Sequence, residues 1–482
     1  MRGKWLLGVL AAGAVLAAGE RGAEACGGCF NAPPPPPPSP RQPSVVTDHR
    51  MILSISQGQT TLYDELRYVG DPESFAWVLP ISGTAKIGIS SDGLFATLDA
   101  MTQVTVIPPP LNCPTPPTDC SYGYGDESAQ GAPSTGASDP GVTVTAMQTV
   151  GPYETVQLSA TDPAALNSWL TSHGYTVPAD IKPVIDQYVA EHFDFLALKL
   201  VPGTGVQAMR PVRVTTTGAS TVLPLRMVAA GTGAVVGVQL WTVAEGRYEP
   251  QNFPFFQIKA EELEWDWITY SSNLGNLRKE RAGTLAGRGW ELESSVAFPI
   301  EDMKGYVTNG YCQPYQGGYY GGGPGGGAPS IGRACSGAQN NYEAEDAGQG
   351  TPRPKEVVQA EDLATLLAGI QGNVRITRTR SDLAHAALDR DLVLVASADQ
   401  AEISPALKIT REKNQPTCTI YRGCESVGQA PRDEAIARSD FSTSNESFSC
   451  AMMTRGRHRN TVLTVGAFAA LALLVAKRLR RK

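Results

Sequence analysis

The acidic, tryptophan-containing segment at residues 261–267 (EELEWDW) holds the residue types of this chain that are best suited to chemistry. On a β-strand it would present three carboxylates on one face and three apolar side chains on the other: Glu262, Glu264 and Asp266 against Leu263, Trp265 and Trp267. Aligned carboxylates could bind calcium, and tryptophan rings could stack on a sugar. An amphipathic strand with a wet acidic face and a buried tryptophan face explains the same pattern, and we favour that interpretation. The binding candidates are Glu262, Glu264, Trp265, Asp266 and Trp267, with no catalytic and no metal-ligating residue among them.

The five histidines are scattered along the chain, and none lies in an HExxH pair. His49 follows Asp48 in a predicted strand, an arrangement that a general base could use. A solvent-facing Asp-His pair at a strand edge is the commoner structure, and we expect it here. The chain has no GxSxG motif, no P-loop and no GxGxxG that opens a helix. No cofactor is therefore predicted.

The nine cysteines are typical of an oxidising compartment. Eight of them fall into close pairs along the sequence and Cys450 is left over; the pairs are Cys26/Cys29, Cys113/Cys120, Cys312/Cys335 and Cys418/Cys424. Short separations favour local disulfides that pin loops, although spacing alone leaves other connectivities open. The first pair could be a redox CxxC, but such a motif needs a helix N-terminus and here a run of prolines follows. A structural pair is the favoured interpretation.

The N-terminus has the pattern of a secretory signal peptide. Arg2 and Lys4 precede an apolar stretch at residues 5–18, and Ala23 and Ala25 are the small residues that signal peptidase reads. Cleavage after residue 25 makes Cys26 the first mature residue. A lipoprotein that carries its lipid on Cys26 is the alternative.

An uncharged apolar run begins at Thr461 and ends at Ala476, and the basic tail KRLRRK follows at once. These 16 residues span about 24 Å as a helix, less than the roughly 30 Å of a hydrocarbon core, and bilayer thinning can cover the difference. We predict a transmembrane helix at 461–476 with residues 477–482 in the cytoplasm, by the positive-inside rule. The bulk of the protein would then be extracytoplasmic, in the periplasm or at the cell surface. A sorting signal that is removed after export remains the alternative.

Charge is distributed unevenly along the chain. The whole chain carries −7, the first 25 residues carry +1 and the last 28 carry +8, which leaves −16 on residues 26–454. A surface this acidic repels phosphate backbones, so nucleic acid is excluded as a partner.

The predicted fold class is α+β: a mainly antiparallel β-sheet with a helical pair and long disulfide-tied loops, plus the C-terminal transmembrane helix. A cysteine pair and polyproline spacer at 26–44 lead into a β-rich ectodomain at 45–435, and a polar stalk at 436–460 leads to the membrane. Low-complexity loops interrupt the ectodomain at 111–143 and 313–355.

Alternation of apolar and polar residues predicts most of the strands, and capping signals predict the helices. The strands are predicted at 45–56, 59–69, 75–81, 104–107, 195–201, 209–216, 221–230, 234–243, 255–259 and 391–397. Asp162 and Pro163 are an N-cap and first-turn pair for one helix. Further helices are predicted at 181–192, at 360–370 and near 382–389, and the folded region is expected to close at 397.

Three stretches occur together and in order: YVGDPESFAWVLPISG at 68–83, LNSWLTSHGYTVPADIKPVIDQYVAEHFDFLALKL at 166–200 and MRPVRVTTTGASTVLPLRM at 209–227. With CGGCF just after the signal peptide, they resemble a bacterial family of exported proteins catalogued as domain of unknown function 2330, over roughly residues 26–400. The resemblance implies an envelope location and a shared fold. It implies no activity, ligand or catalytic residue.

These observations favour a non-enzymatic, tail-anchored envelope protein that binds or scaffolds a protein partner of the cell envelope. Two alternatives remain open: an extracytoplasmic hydrolase of envelope polymers, and a carbohydrate- or calcium-binding module centred on the acidic segment at 261–267. A deep pocket with converging carboxylates, or with His49, would favour the hydrolase.

Overall fold

The structure of the protein is a computed structural model, which describes residues 45–69, 76–116, 148–159, 162–173, 175, 177, 179, 181–201, 209–229, 232–311, 342 and 353–441. The predicted signal peptide, polyproline spacer, transmembrane helix and basic tail lie outside these residues. No helix within them is long and apolar enough to cross a membrane.

The described strands are, in chain order, β1 Val45–Ile55, β2 Gln59–Val69, β3 Ala76–Ile81, β4 Ala85–Ile89, β5 Thr105–Ile107, β6 Gln148–Val150, β7 Tyr153–Leu158, β8 Asp194–Leu200, β9 Val212–Thr217, β10 Val222–Leu223, β11 Thr232–Ala244, β12 Tyr248–Pro250, β13 Phe255–Phe256, β14 Glu264–Asp266, β15 Ser271–Ser272, β16 Trp290–Pro299, β17 Asn373–Ala384, β18 Leu392–Ala396, β19 Ala406–Lys408, β20 Arg411–Glu412, β21 Thr417–Arg422 and β22 Glu425–Pro431.

The described α-helices are α1 Asp92–Thr102, α2 Pro163–Ser172, α3 Lys182–Ala190, α4 Leu225–Val228, α5 Leu274–Thr284, α6 Ile300–Asn309, α7 Lys355–Leu366 and α8 Arg432–Arg438. Together with the strands they form the mixed α+β fold that the sequence predicts.

An eight-stranded sheet is the centre of the molecule, with the order β13-β16-β17-β11-β1-β2-β9-β4. Its pairs are antiparallel except for β1 with β11 and β13 with β16. The interior position of β1 explains its apolar run MILSI, because a strand that is covered on both faces needs no polar alternation. Smaller sheets surround it, of which the largest is the antiparallel four-stranded sheet β3-β8-β7-β6.

Two hydrophobic clusters cover the two faces of the central sheet. On one face, Met51 and Leu53 of β1 pack in a cluster that also contains residues of the four-stranded sheet and of the helical pair α2 and α3. On the other face, Ile52 and Trp241 pack in a cluster with residues of α1, α6 and α7. The sheet is therefore the middle of three layers, and we call the second face the helix side.

Local signals in the sequence find many of these elements. The helical pair is confirmed as α2 and α3, and the Asp162 side chain caps α2 by accepting a 2.9 Å bond from the Ala164 N–H. The predicted helix at 360–370 is present earlier in the chain, as α7. Two predictions are wrong because tertiary pairing overrides local propensity. Residues 382–384 belong to β17, where a helix was expected, and the helical part of that stretch is the 3₁₀ turn His385–Ala387. The strand expected at 221–230 is the two-residue β10 followed by α4.

The folded region extends beyond residue 397. Strands β19 to β22 and helix α8 follow, and α8 crosses the start of the predicted stalk at residue 436. Long elements were also missed earlier in the chain, namely α1, α5, α6, β16 and β17.

Cys113 is bonded to Cys418, 305 residues away. The expected local disulfides Cys113/Cys120 and Cys418/Cys424 are therefore wrong, because β-sheet pairing brings distant chain segments together and sequence spacing does not report it. Cys424 is also disulfide-bonded. The other candidate cysteines, Cys26, Cys29, Cys120, Cys312 and Cys335, lie outside the described residues.

Candidate functional site

Polar side chains form a continuous row across five neighbouring strands on the helix side of the central sheet. The register places them directly opposite one another, in the order Glu65, Arg50, Gln239, Arg380 and Glu291. Opposite charges on adjacent strands stabilise one another through contact on the same face. We call this set the polar row.

Arginine–carboxylate bonds hold the row in place. Arg50 donates a 2.7 Å bond to Glu65, and Arg67 donates to the same carboxylate at 2.8 Å. At the other end, Arg278 donates to Glu291 at 2.7 Å. Both terminal carboxylates are thus paired, and the row is a fixed framework.

Arg378 lies two residues before Arg380 on β17, on the same face of the sheet, and its side chain is also held by carboxylates. It donates to Glu293 at 2.6 Å and bonds to Asp99 of α1. The guanidinium groups of Arg50 and Arg378 each lie 5.2 Å from the centroid of the buried Trp241 ring. Cation–π attraction therefore adds to the ion pairs in fixing both arginines.

A cleft of about 520 Å³ opens between the polar row and α1. Its lining includes the four arginines of this region, Arg50, Arg67, Arg378 and Arg380. Arg67 and Arg380 leave 56% and 43% of their side chains exposed. A guanidinium has five N–H donors, so both can donate further bonds while keeping their carboxylate partners. We call this feature the arginine cleft.

A second cavity of about 270 Å³ adjoins the cleft, and Arg67 lines both. It lies where the pairing of β2 with β9 ends, at Asp64 opposite Val212. Trp77 and Leu198 form part of its wall. The cavity is also lined by three carboxylates, those of Asp64, Glu65 and Asp92. We call it the edge cavity.

Burial raises the pKa of Glu65 above its ordinary value, against the opposing effect of Arg50. Burial also raises the pKa of Glu291, against the opposing effect of Arg278. The two residues are separated by four strand spacings, about 19 Å. Glycoside hydrolysis needs two carboxyl groups about 5 to 10 Å apart. The ends of the polar row therefore do not form such a pair.

The environment of His49 differs from the one expected from the sequence. The histidine is fully buried, because it lies on the covered face of β1 that also carries Met51 and Leu53, and its Nδ1 is 3.1 Å from a carboxylate oxygen of Asp64. The expected solvent-facing pair with Asp48 is therefore wrong. Successive side chains of a strand alternate between faces, so the imidazole lies on the side opposite to Arg50. Within the described residues its Nε2 has no hydrogen-bond partner.

The acidic segment at 261–267 is divided between a 3₁₀ turn at Ala260–Glu262 and strand β14. Leu263 and Trp267 are buried, as the predicted alternation requires. The three candidate carboxylates each meet a cation: Glu262 with Arg281, Glu264 with Arg411 at 3.8 Å and Asp266 with Lys413 at 3.4 Å.

Trp265 is half-buried, and Trp267 donates a 2.8 Å bond from its indole N–H to Glu412. None of the five candidate residues lines the arginine cleft or the edge cavity. Across the part of the chain that the structure describes, no group of three or more His, Cys, Asp or Glu side chains could hold a metal ion.

The four arginines of the cleft were missed by sequence reasoning. A usable signal is present in β17, where VRITRTR places Arg378 and Arg380 two residues apart and so on one face of a strand. Arg50 and Arg67 have no such local pattern, because only the register of β1 and β2 brings them together.

The comparisons with known proteins agree with the resemblance noted from the sequence. No curated protein and no solved structure matches the chain. A family model described as an uncharacterized protein conserved in bacteria matches residues 23–296 and ends within β16, earlier than the stretch over which the motifs suggested a resemblance. The chain belongs to this bacterial family, domain of unknown function 2330.

Proposed function

We propose that the protein is an exported, membrane-anchored protein of the bacterial cell envelope that binds an acidic ligand in the arginine cleft. The single observation that carries the binding role is the convergence of four arginines on one cleft. The envelope location is supported by the signal-peptide pattern and by the apolar run with its basic tail.

Charge supports this assignment of the ligand. Residues 26–454 carry a net charge of −16, so most of the surface repels anions. The lining of the cleft contains four arginines and two aspartates, Asp48 and Asp99, so its charged side chains sum to a net charge of +2. A concave site of positive charge concentrates ligands of the opposite sign. An acidic ligand is therefore directed to the cleft.

The four arginines have two different roles in binding. Arg50 and Arg378 are mostly buried and held by carboxylates and by Trp241, so they form the fixed back of the cleft. Arg67 and Arg380 are the exposed contacts. Guanidinium groups bind carboxylate, sulfate and phosphate groups through two parallel hydrogen bonds. A protein partner from the envelope would meet the cleft through an acidic side chain or its terminal carboxylate.

Equilibrium titration of the purified full-length protein with sulfate, succinate and inorganic phosphate tests this function. We expect saturable binding that weakens at least about a hundredfold in the double variant Arg67→Gln/Arg380→Gln, since two charge-assisted bonds are lost and each costs about 1.5–3 kcal/mol. Arg438→Gln is the matched control, because that arginine is equally exposed and lies on α8, outside the cleft. Equal affinity in the double variant and the control would contradict the proposal.

A hydrolase of envelope polymers is the second candidate, and one observation favours it. Asp64, Glu65 and Asp92 line the same edge cavity, and burial raises the pKa of Glu65 in the direction that a general acid requires. The test is release of soluble fragments from purified envelope polymers. Release that is lost in Glu65→Gln and kept in the control variant Glu264→Gln would support this candidate, and absence of release by the wild-type protein would exclude it for those polymers.

A further inference from the structure

The fully buried Asp362 lies at the centre of a polar cluster that connects α7 to the central sheet. Its carboxylate accepts bonds from Ser90 at 2.6 Å, from Arg213 at 2.6 Å and from Tyr342 at 3.1 Å. Its backbone carbonyl accepts a 3.2 Å bond from Tyr63. Three separate parts of the chain therefore depend on one carboxylate, and a fourth on the backbone beside it.

Ser90 connects this cluster to the arginine cleft. It directly precedes Ser91, whose side chain caps α1 by accepting from the Gly93 N–H at 3.1 Å. Helix α1 forms a wall of both cavities, since Asp92 lines the edge cavity and Asp99 lines the arginine cleft. The position of Ser90 thus fixes where this wall begins.

We propose that Asp362 is a positioning residue for the arginine cleft, which in its ionised form holds the N-terminal end of α1 through Ser90. This inference rests on the proposed anion-binding function. Ionised Asp362 accepts all three side-chain bonds at once, whereas a neutral carboxyl group must use one oxygen as a donor. Loss of the charge therefore weakens the connection between α7 and the start of α1.

Titration of Asp362 falls in an accessible pH range. Burial raises the pKa of this carboxyl to about 6, against the opposing effect of Arg213. The other charged or titratable groups that face the cluster are Glu361 of α7, which accepts a 2.7 Å bond from Arg213, and the phenols of Tyr63 and Tyr342, whose pKa values burial raises far above neutrality. Asp362 is thus ionised above about pH 6 and becomes protonated below it.

The experiment compares sulfate binding by the full-length wild-type protein and by Asp362→Asn. Sulfate keeps its charge throughout this range, and the asparagine imitates the protonated carboxyl group. At about pH 7.5 we expect the variant to bind sulfate about fivefold more weakly than the wild type, and at about pH 5 we expect equal affinities. Glu65, whose pKa is also raised, changes its charge over the same pH range in both proteins. Its effect on sulfate binding therefore cancels in the ratio of the two affinities. A ratio that is the same at both pH values, or no difference at the higher one, would overturn the inference.

Amide hydrogen exchange of residues 91–102 provides a readout that needs no ligand. Exchange of these amides at about pH 7.5 should be faster in Asp362→Asn than in the wild type, and unchanged in Asp391→Asn. Asp391 is the matched control because it is also buried, and it accepts bonds from Tyr188 at 2.5 Å and from Arg226 at 2.7 Å away from the cleft.

The two measurements separate the possible failures. Faster exchange without sulfate binding in the wild type would contradict the proposed function and leave the positioning role intact. Sulfate binding with unchanged exchange would contradict the positioning role alone. Should Asp362→Asn not fold, wild-type exchange of residues 91–102, corrected for its intrinsic pH dependence, must still rise below about pH 6. The Ser90 bond favours the ionised carboxylate, so local opening that breaks this bond and leaves Asp362 buried becomes easier once Asp362 is protonated.

Discussion

The acidic segment at 261–267 and the helix side of the central sheet are two charged regions of very different construction. In the segment, three carboxylates lie within five consecutive residues, and Glu264 meets its arginine at 3.8 Å with 36% of the glutamate side chain exposed. On the helix side, the charges come from distant strands and are held by short bonds, such as the 2.6 Å bond between Arg378 of β17 and the buried Glu293 of β16. A dense cluster of charges in the sequence is therefore a solvated face here, whereas the cluster built by strand register encloses a cleft.

The largest expected effect comes from leaving a buried charge without its partner. Arg213→Met removes the cation from Asp362 and Glu361, and we expect the free energy of unfolding to fall by about 3–5 kcal/mol. Denaturant unfolding monitored by circular dichroism measures the change. The double variant Arg213→Met/Asp362→Leu should recover much of the loss, because no charge then remains buried. If Arg213→Met were as stable as the wild type, the buried ion pairs of the helix side would contribute no more to stability than the exposed ion pairs of the acidic segment.

The close packing around Arg213 can be tested from a neighbouring strand. A Cβ atom added at Gly88 would lie 2.6 Å from Nη2 of Arg213, and the two carboxylate partners prevent that guanidinium from moving aside. Gly88→Ala should therefore lower the free energy of unfolding by about 1–3 kcal/mol. Gly58→Ala is the control, because open space surrounds its added Cβ atom. Equal stabilities of the two variants would mean that Arg213 is mobile.

The smallest effect is expected in the acidic segment. Glu264→Gln removes one exposed ion pair, which changes the free energy of unfolding by about 0.5 kcal/mol or less. Sulfate affinity should be unchanged, because Glu264 lines neither cavity. A loss of sulfate binding in this variant would show that the segment, and not the arginine cleft, controls the ligand.

Sequence patterns predicted the parts of the fold that are determined locally. Asp162 and Pro163 identify the start of α2, and the β-branched and aromatic residues of β1, β2 and β3, bounded by glycines, identify those strands within a residue or two. Register, disulfide pairing and the positions of the small sheets are non-local, and no local pattern reports them. The pairing of Cys113 with Cys418 is the plainest example.

Strand β17 was missed for a physical reason. Its arginines Arg378 and Arg380 lie on one face, and the buried residues of the other face are Thr377, Thr379 and Ser381, so the segment has no alternation of apolar and polar residues. Strand β16 begins with the alternating residues WELE, so a usable signal for that strand was present.

The family match ends at residue 296, within β16. The central sheet continues past this point, because β17 lies between β16 and β11 and supplies two of the four arginines. Helix α7 and Asp362 also lie beyond the match. The arginine cleft therefore combines residues from inside and outside the matched region.

The most direct test of the acidic-ligand assignment is a crystal structure of the protein soaked with selenate, located by the anomalous scattering of selenium. Selenate has the shape and charge of sulfate, so it should occupy the arginine cleft within hydrogen-bond distance of Arg67 and Arg380. We expect an anomalous peak at that position, and we expect it to be absent in crystals of Arg67→Gln/Arg380→Gln. Peaks only at other surface arginines, with an empty cleft in the wild type, would contradict it.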